Sequence, residues 1–484
     1  MVAYLTLLPC AVAAFAVIVL RQTVLTASIL SLSAALALWV FGIFSSSQPD
    51  QLFRAVADAI VLFLLVGFVI FSGIMFVEAT TRNGGLTALI RIIQSLRLAP
   101  SRAIILITAG IGITMESLTG YGVSMFVTIP LLVRVVGRNA AIFLALIGMS
   151  LMAWGALSVS ALLGAELAGL PQTDLSAAIL TTSGPVAATI PALCLLAVQD
   201  RNFFDVSYGL LAGFVLLAGI ALTSHFVGVE VAGVGGGLAV ICLSLIFASS
   251  KRFAITMVRS PQILPYGFLA IGVVLQKLFV PHLSAVGIDF AIATDRVSFD
   301  ILASPGAALL MAVLVSIMMR RANAEAPEYP SLWLDAVMRC WPALTSIFFF
   351  LLVARLLVEI GSVDALAGQL AQLGPFAAAA LVATLGGVGS YITGSGTASN
   401  ALFMPSAAAT GQDLDFLPLF SALQHSGAAH VAVASLPIIA ILLAALPDRK
   451  PNDASTATRM ALGLAFVWLL FVISSGTFQI AMAL

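Results

Sequence analysis

Four residues able to move a proton or hold an anion, Glu116, Arg355, His425 and His430, lie in apolar runs of this 484-residue chain. A carboxylate at membrane depth is costly and by default functional, which makes Glu116 the candidate carrier of a coupling proton. Histidine titrates near neutral pH, so His425 and His430, in "LQHSGAAHVAVAS", could bind a carboxylate or relay a proton beside a kink at Gly427. Their i,i+5 spacing is poor for chelation from one helix, and no metal or cofactor is expected. Arg355 could hold an anion, pair with Glu359 one turn on, or snorkel to the interface.

Two glycine-rich stretches break the apolar runs, "ESLTGYGVS" (116–124) and "SYITGSGTASN" (390–400). Glycine and small hydroxyls weaken a helix, and unwound backbone inside a membrane is tolerated only against protein or a water-filled cavity. Half-helix N-termini and hydroxyls at such breaks can hold an anion without a full positive charge. The substrate-binding set read here is Thr119, Gly120, Tyr121, Gly122 and Ser124 from the first break. The second break adds Thr393, Gly394, Ser395, Gly396, Thr397, Ser399 and Asn400. Trp154 and Gly155 of "MAWGALSVS", a kinked small-residue segment, join them with Arg355, His425 and Ser426. Helix packing by small residues is the plainer alternative for each break.

The elements that must position these residues follow from composition. With 61% hydrophobic residues, 9% charged residues and a mean hydropathy of +1.14, the chain reads as an all-α polytopic membrane protein. Zero formal net charge gives no footprint for nucleic acid. Cys10, Cys194, Cys242 and Cys340 are dispersed in apolar runs and form no CxxC pair. About twelve spans are expected, near 2–20, 23–44, 55–79, 139–160, 178–198, 206–224, 231–249, 262–281, 301–319, 337–359, 416–446 and 461–481. Two broken, re-entrant hairpins, 103–136 and 374–410, are added to these. The N-terminal apolar run lacks a basic leader and reads as a retained first span. Leu86, Leu89, Ile90, Ile93 and Leu96 share a face, which predicts a helix lying in the interface. His225, Glu230, Asp413 and Asp415 fall in expected loops and read as solvated, while Glu78 and Glu359 read as span-end anchors.

If each hairpin returns to its side of entry, 17 of the 21 basic residues fall inside and the N-terminus outside. Arg97, Lys251, Arg252 and Arg320 are among the 17. "VEATTRNGGLTALI…LTGYGVSMFVTIP" and "VEIGSVDALAGQL…ITGSGTASNALFMP" then match in order with opposite orientation: Val77-Glu78 with Val358-Glu359, Thr119-Gly120-x-Gly122 with Thr393-Gly394-x-Gly396, Pro130 with Pro405. Inverted repeats with such breaks point to a secondary transporter. The expected organisation is a two-helix segment 1–54, a first repeat 55–249, connecting spans 250–336 and a second repeat 337–484.

At "ESLTGYGVSMFVTIPLLV", "WGALSV", "LVARLLVEIGSVDALA" and "GSYITGSGTASNALFMPS" the chain resembles the lactate permease family of secondary carriers, over roughly residues 55 to 440. The resemblance implies proton-coupled uptake of lactate, glycolate and similar 2-hydroxymonocarboxylates across the plasma membrane. The implied partners are a small carboxylate anion, protons and the lipid bilayer; a homodimer stays open. One departure is plain. Where family members tend to carry a Gly-Lys-Met-Ile-Ser-Pro-like stretch, this chain has "QHSGAAHVAVASLP", with Ala432 about where the lysine would be. A sodium-coupled carboxylate carrier is the rival within transport, since "TGSGTASN" could supply oxygens to a cation. A membrane-embedded enzyme would need H-E-x-x-H, G-x-S-x-G or a paired Asp motif, and none occurs.

Overall fold

A computed structural model describes residues 2–96, 98–120, 122–198, 201–248, 256, 259–288, 290–321 and 332–484; Arg97, Tyr121, Lys251 and Arg252 lie outside the described residues. In chain order the helices are α1 (Val2–Ile18), α2 (Val24–Val40), α3 (Pro49–Arg82), α4 (Gly85–Gln94), α5 (Pro100–Thr119), α6 (Val123–Val136), α7 (Arg138–Met149), α8 (Val159–Ala168) and α9 (Gln172–Cys194). Next come α10 (Phe203–Phe226), α11 (Ala232–Ile246), α12 (Leu264–Ala285) and α13 (Pro305–Arg321). The chain ends with α14 (Leu332–Glu359), α15 (Ser362–Ala371), α16 (Pro375–Thr393), α17 (Gly396–Asp413), α18 (Leu417–Val431), α19 (Leu436–Ala445) and α20 (Asp453–Ala483). Between α12 and α13 a small antiparallel hairpin pairs β1 (Ala291–Ala293) with β2 (Ser298–Asp300), Ile292 opposite Phe299.

Among the described residues, nine helices are long and apolar enough to cross a membrane, and the bent pair α18–α19 raises that to ten. The expectation of about twelve spans counted several apolar runs that fold as shorter helices. At 1.5 Å per residue, α1 and α2 reach roughly 26 Å, and the run expected at 139–160 stops at Met149 and restarts at Val159. A helix forms where one was expected over 86–96, as α4, entered through Gly84 in the left-handed region (φ 73°). In both regions expected as hairpins two helices pack together across the break, α5 on α6 and α16 on α17, and α5 and α16 are themselves long and apolar enough to count among the nine. Within α5, Leu106–Gly112 is π-helical, one turn ahead of Glu116.

Local signals recur in the two halves. A left-handed glycine enters a ten-residue helix at Gly84–α4 and again at Gly361–α15. Proline occupies the first turn of both α5 and α16, where its missing N–H costs nothing. Glycine closes both, Gly120 (φ 67°) and Gly394 (φ 74°), and a proline lies inside each following helix, Pro130 and Pro405.

The long helices α3 and α14 pack antiparallel, as their end contacts require. Arg54 near the start of α3 bonds Glu359 at the end of α14 (2.9 Å), and Arg339 near the start of α14 bonds Glu78 near the end of α3 (2.7 Å). Glu78 also takes Arg82 (3.0 Å), and Glu359 also takes Arg296. Between these ends Arg355 pairs with buried Asp58, its Nε at 3.0 Å, and not with Glu359. The β-hairpin is strapped over this end: Thr294 Oγ donates to Asp58 (2.6 Å) and the Ser298 N–H to Glu166 (3.3 Å).

Two sequence expectations change. Glu230 is buried rather than solvated, because Lys277 of α12 reaches it at 2.5 Å. Gly427 is not a kink; α18 runs helical through it, and a Cβ there would overlap the Ala383 carbonyl of α16, so the glycine serves close helix packing. Asp413 and Asp415 are exposed at the end of α17.

Candidate functional site

Four interruptions of helix converge on one cavity of about 440 Å³. From the α5–α6 break come Glu116 and Gly120; from the α16–α17 break, Thr393, Gly394, Ser395, Gly396 and Thr397. Between α7 and α8 the chain makes two 3₁₀ turns and contributes Gly155, Ala156 and, at the start of α8, Val159 and Ser160. Beyond the α18–α19 bend, Pro437, Ile438 and Ile441 close the fourth side. The start of α2 and the middle of α14 complete the wall with Thr23 to Leu25 and with Pro342, Ala343, Ser346 and Ile347.

Each break is held by its own chemistry. Gly120 and Gly394 adopt positive φ, and an added Cβ would come within 2.5 Å of Ala156 Cβ or 2.6 Å of Pro437 Cγ respectively. So the first glycine of each break leans on the second interruption of its own half. The second glycine faces the other half: a Cβ on Gly122 would meet Ile441 at 2.9 Å, and one on Gly396 lies 3.8 Å from Ser160 Oγ. The α7–α8 interruption is strained, with Ala156, Leu157 and Ser158 all near φ 50°. Left-handed backbone at such residues costs roughly 1–2 kcal/mol each. Ser158 Oγ, donating to the Val229 carbonyl (2.6 Å), helps hold it.

Glu116 faces two ways. It lines the cavity, and its carboxylate accepts from the Gly122 N–H (3.1 Å) and Ser124 Oγ (2.8 Å), capping the start of α6. In the second break the matching position is Ser390, whose hydroxyl donates to the Gly387 carbonyl (3.0 Å) and leaves α17 without a carboxylate cap. Instead Ser395 Oγ accepts from the Ala398 N–H (3.4 Å), and Thr393 Oγ donates to the Gly389 carbonyl (2.8 Å). The first N–H groups of a helix have no intrahelical partner, and those of α17 begin at this cavity. Among the described residues, no basic side chain lines it.

The histidines lie behind the wall. His425 Nε2 is 3.0 Å from the Ala153 carbonyl, which only accepts, so Nε2 carries the proton and Nδ1 accepts from Asn400 Nδ2 (3.0 Å). His430 Nδ1 donates to the Ser150 carbonyl (2.6 Å), and its Nε2 lies 2.9 Å from Ser183 Oγ. Asn400 Nδ2 also donates to the Ser160 carbonyl (2.8 Å), and Ser426 joins Thr182 and Ser183 through hydroxyl contacts of 2.7 and 2.8 Å. Together these side chains of α17 and α18 pin the α7–α8 interruption to the second half.

The structure thus brings Glu116, Gly120, Gly155, Thr393, Gly394, Ser395, Gly396 and Thr397 to the cavity. It sets Thr119, Gly122, Ser124, Trp154, Ser399, Asn400, His425, Ser426 and His430 in the packed shell around it, and Arg355 with Asp58. Sequence reading missed Ser160, Ala429 and the Pro437–Ile441 wall; the signal for the last was Pro437, a first-turn proline restarting a helix inside one long apolar run.

Comparison with known proteins gives two matches by sequence. Residues 265–479 match the family model described as L-lactate permease. An L-lactate permease of Streptococcus iniae is 21% identical over 406 residues, covering 79% of this chain and 85% of that protein.

Proposed function

We propose, from the premise that this chain belongs to the lactate permease family, that it carries a lactate-like 2-hydroxy acid across the plasma membrane together with a proton. The observation that carries this reading is a cavity holding one carboxylate, Glu116, one helix start, α17, capped by the Ser395 hydroxyl and not by a carboxylate, and no basic side chain among the described residues. The substrate carboxylate accepts from the first N–H groups of α17 and from Ser395 or Thr397, as anions do at helix N-termini. Glu116 already fills the equivalent place at the start of α6. Two carboxylates in one apolar cavity do not both stay ionised, so one proton accompanies each anion. In this reading Glu116 holds that proton, and His425 and His430 position the α7–α8 interruption.

The matching order of elements and the reciprocal pairs Arg54–Glu359 and Arg339–Glu78 support two inverted repeats, with α3 and α14 as equivalent helices. The distribution of basic residues supports an outside N-terminus. Alternating access then follows from rocking of one half against the other around the cavity.

Uptake of labelled lactate into proteoliposomes tests the proposal. An inward proton gradient should drive accumulation and a sodium gradient alone should not. Accumulation that follows sodium and ignores pH would replace this reading with a sodium-coupled one.

A further inference from the structure

Resting on the carboxylate-transport reading, we infer that the preferred substrates are 2-hydroxy monocarboxylates with aliphatic side chains longer than that of lactate. The cavity lining is mostly apolar. Glu116, Thr393, Ser395 and Thr397 supply polar groups at the breaks. Val24, Leu25, Ile347, Val159, Ile438 and Ile441, brought from α2, α14, α8 and α19, make much of the remaining wall, with the hydroxyls of Thr23, Ser160 and Ser346 among them. The cavity measures about 440 Å³. At roughly 30 Å³ per water in the liquid, that is room for on the order of 15 waters.

A three-carbon acid whose carboxylate and hydroxyl are held at the breaks fills only a fraction of this space. Its single methyl group reaches little of the apolar wall. The remaining wall then faces water, an arrangement that a longer hydrocarbon chain relieves by displacing it. Among the described residues no cationic side chain lines the cavity to reward a second carboxylate, so dicarboxylates gain nothing from the extra length. Each methylene transferred from water to such a wall should tighten binding by about fourfold, until the cavity is full. Volume, wall chemistry and the absence of a lining cation among the described residues all select the same class.

The test is counterflow with the full-length protein in proteoliposomes loaded with lactate. Labelled lactate entry is competed by lactate, 2-hydroxybutyrate, 2-hydroxyvalerate and 2-hydroxyisocaproate. The half-inhibiting concentration should fall about fourfold per added methylene over this series. Lactate counterflow with inhibition that is flat or weakens as the chain lengthens would overturn the inference and leave carboxylate transport standing. Absence of counterflow with every 2-hydroxy acid would remove the transport reading itself, and the inference with it. Ala343, on an exposed part of α14 that lines the cavity, gives a second handle. Ala343→Leu should lower the 2-hydroxyisocaproate-to-lactate preference by about tenfold, the discrimination typical of a filled hydrophobic subsite. An unchanged preference would place the aliphatic chain elsewhere and overturn the inference.

Discussion

Gly394 and Gly396 sit two residues apart in one break, yet the structure predicts opposite fates for them as alanine. Gly394 has φ 74°, and its added Cβ would lie 2.6 Å from Pro437 Cγ and 3.1 Å from Pro437 Cδ. An L-residue in that backbone region costs roughly 1–2 kcal/mol. Forcing a methyl group against a rigid proline ring adds about 1–3 kcal/mol. The sum, roughly 2–5 kcal/mol, opposes the conformation in which the α16–α17 tip closes on α19. Its lower end already depopulates that conformation about 25-fold, at 1.4 kcal/mol per factor of ten. Gly396 is the first residue of α17, has no positive φ, and would place its Cβ 3.8 Å from the nearest atom. Gly396→Ala should therefore keep most activity, and Gly394→Ala should lose nearly all of it. The assay is lactate counterflow in proteoliposomes, normalised to inserted protein, with thermal unfolding of both variants alongside. Equal activity of the two would refute the reasoning, because it would mean that the tip need not close on Pro437.

Glu116→Gln should abolish accumulation driven by a pH gradient while counterflow at equal pH continues, since glutamine keeps the size and most hydrogen bonds of the cap on α6; unchanged accumulation would exclude Glu116 as the proton carrier. Arg355→Met leaves Asp58 charged and buried (side chains 6% and 4% exposed), so the melting point of the purified protein should drop by the equivalent of about 3–5 kcal/mol. Adding Asp58→Leu should restore most of it, and a single variant as stable as the parent would show the pair to be dispensable. Cysteines placed at the N-terminus and at Asp174 should react with an impermeant reagent from outside and one at Arg138 only after permeabilisation; the reverse pattern would invert the topology.

What the sequence disclosed depended on whether a single residue type carried the signal. Gly120, Gly122, Gly394 and Gly396 announced two breaks because three of them take positive φ and all interrupt apolar helix. The periodicity of Leu86 to Ile93 announced α4 in the same way. The α7–α8 interruption was harder to see: Trp154-Gly155 suggested a kink, but Ala156, Leu157 and Ser158 are ordinary helix residues forced left-handed by their surroundings. Partners far away in sequence, which no local window contains, hold this stretch: Val229 bonds Ser158, and His425 and His430 bond the preceding carbonyls of Ala153 and Ser150. Burial of Glu230 was hidden for the same reason, its partner Lys277 lying 47 residues on. Convergence of the four breaks on one cavity was legible only as an analogy between the halves.

The Asp58–Arg355 pair joins residues 297 positions apart. At a synthesis rate of roughly 5–20 residues per second, Arg355 leaves the ribosome some 15–60 s after Asp58. Throughout that interval α3 carries a carboxylate whose cation has not yet been made, at a cost of up to about 3 kcal/mol in the bilayer. Its residence there is provisional: α3 either stays at the insertion machinery or shifts its Asp58 end toward the headgroups until α14 arrives. A chain arrested before residue 332 should then leave α3 open to extraction or degradation, so arrival of α14 is the biogenetic step that commits both halves to the membrane.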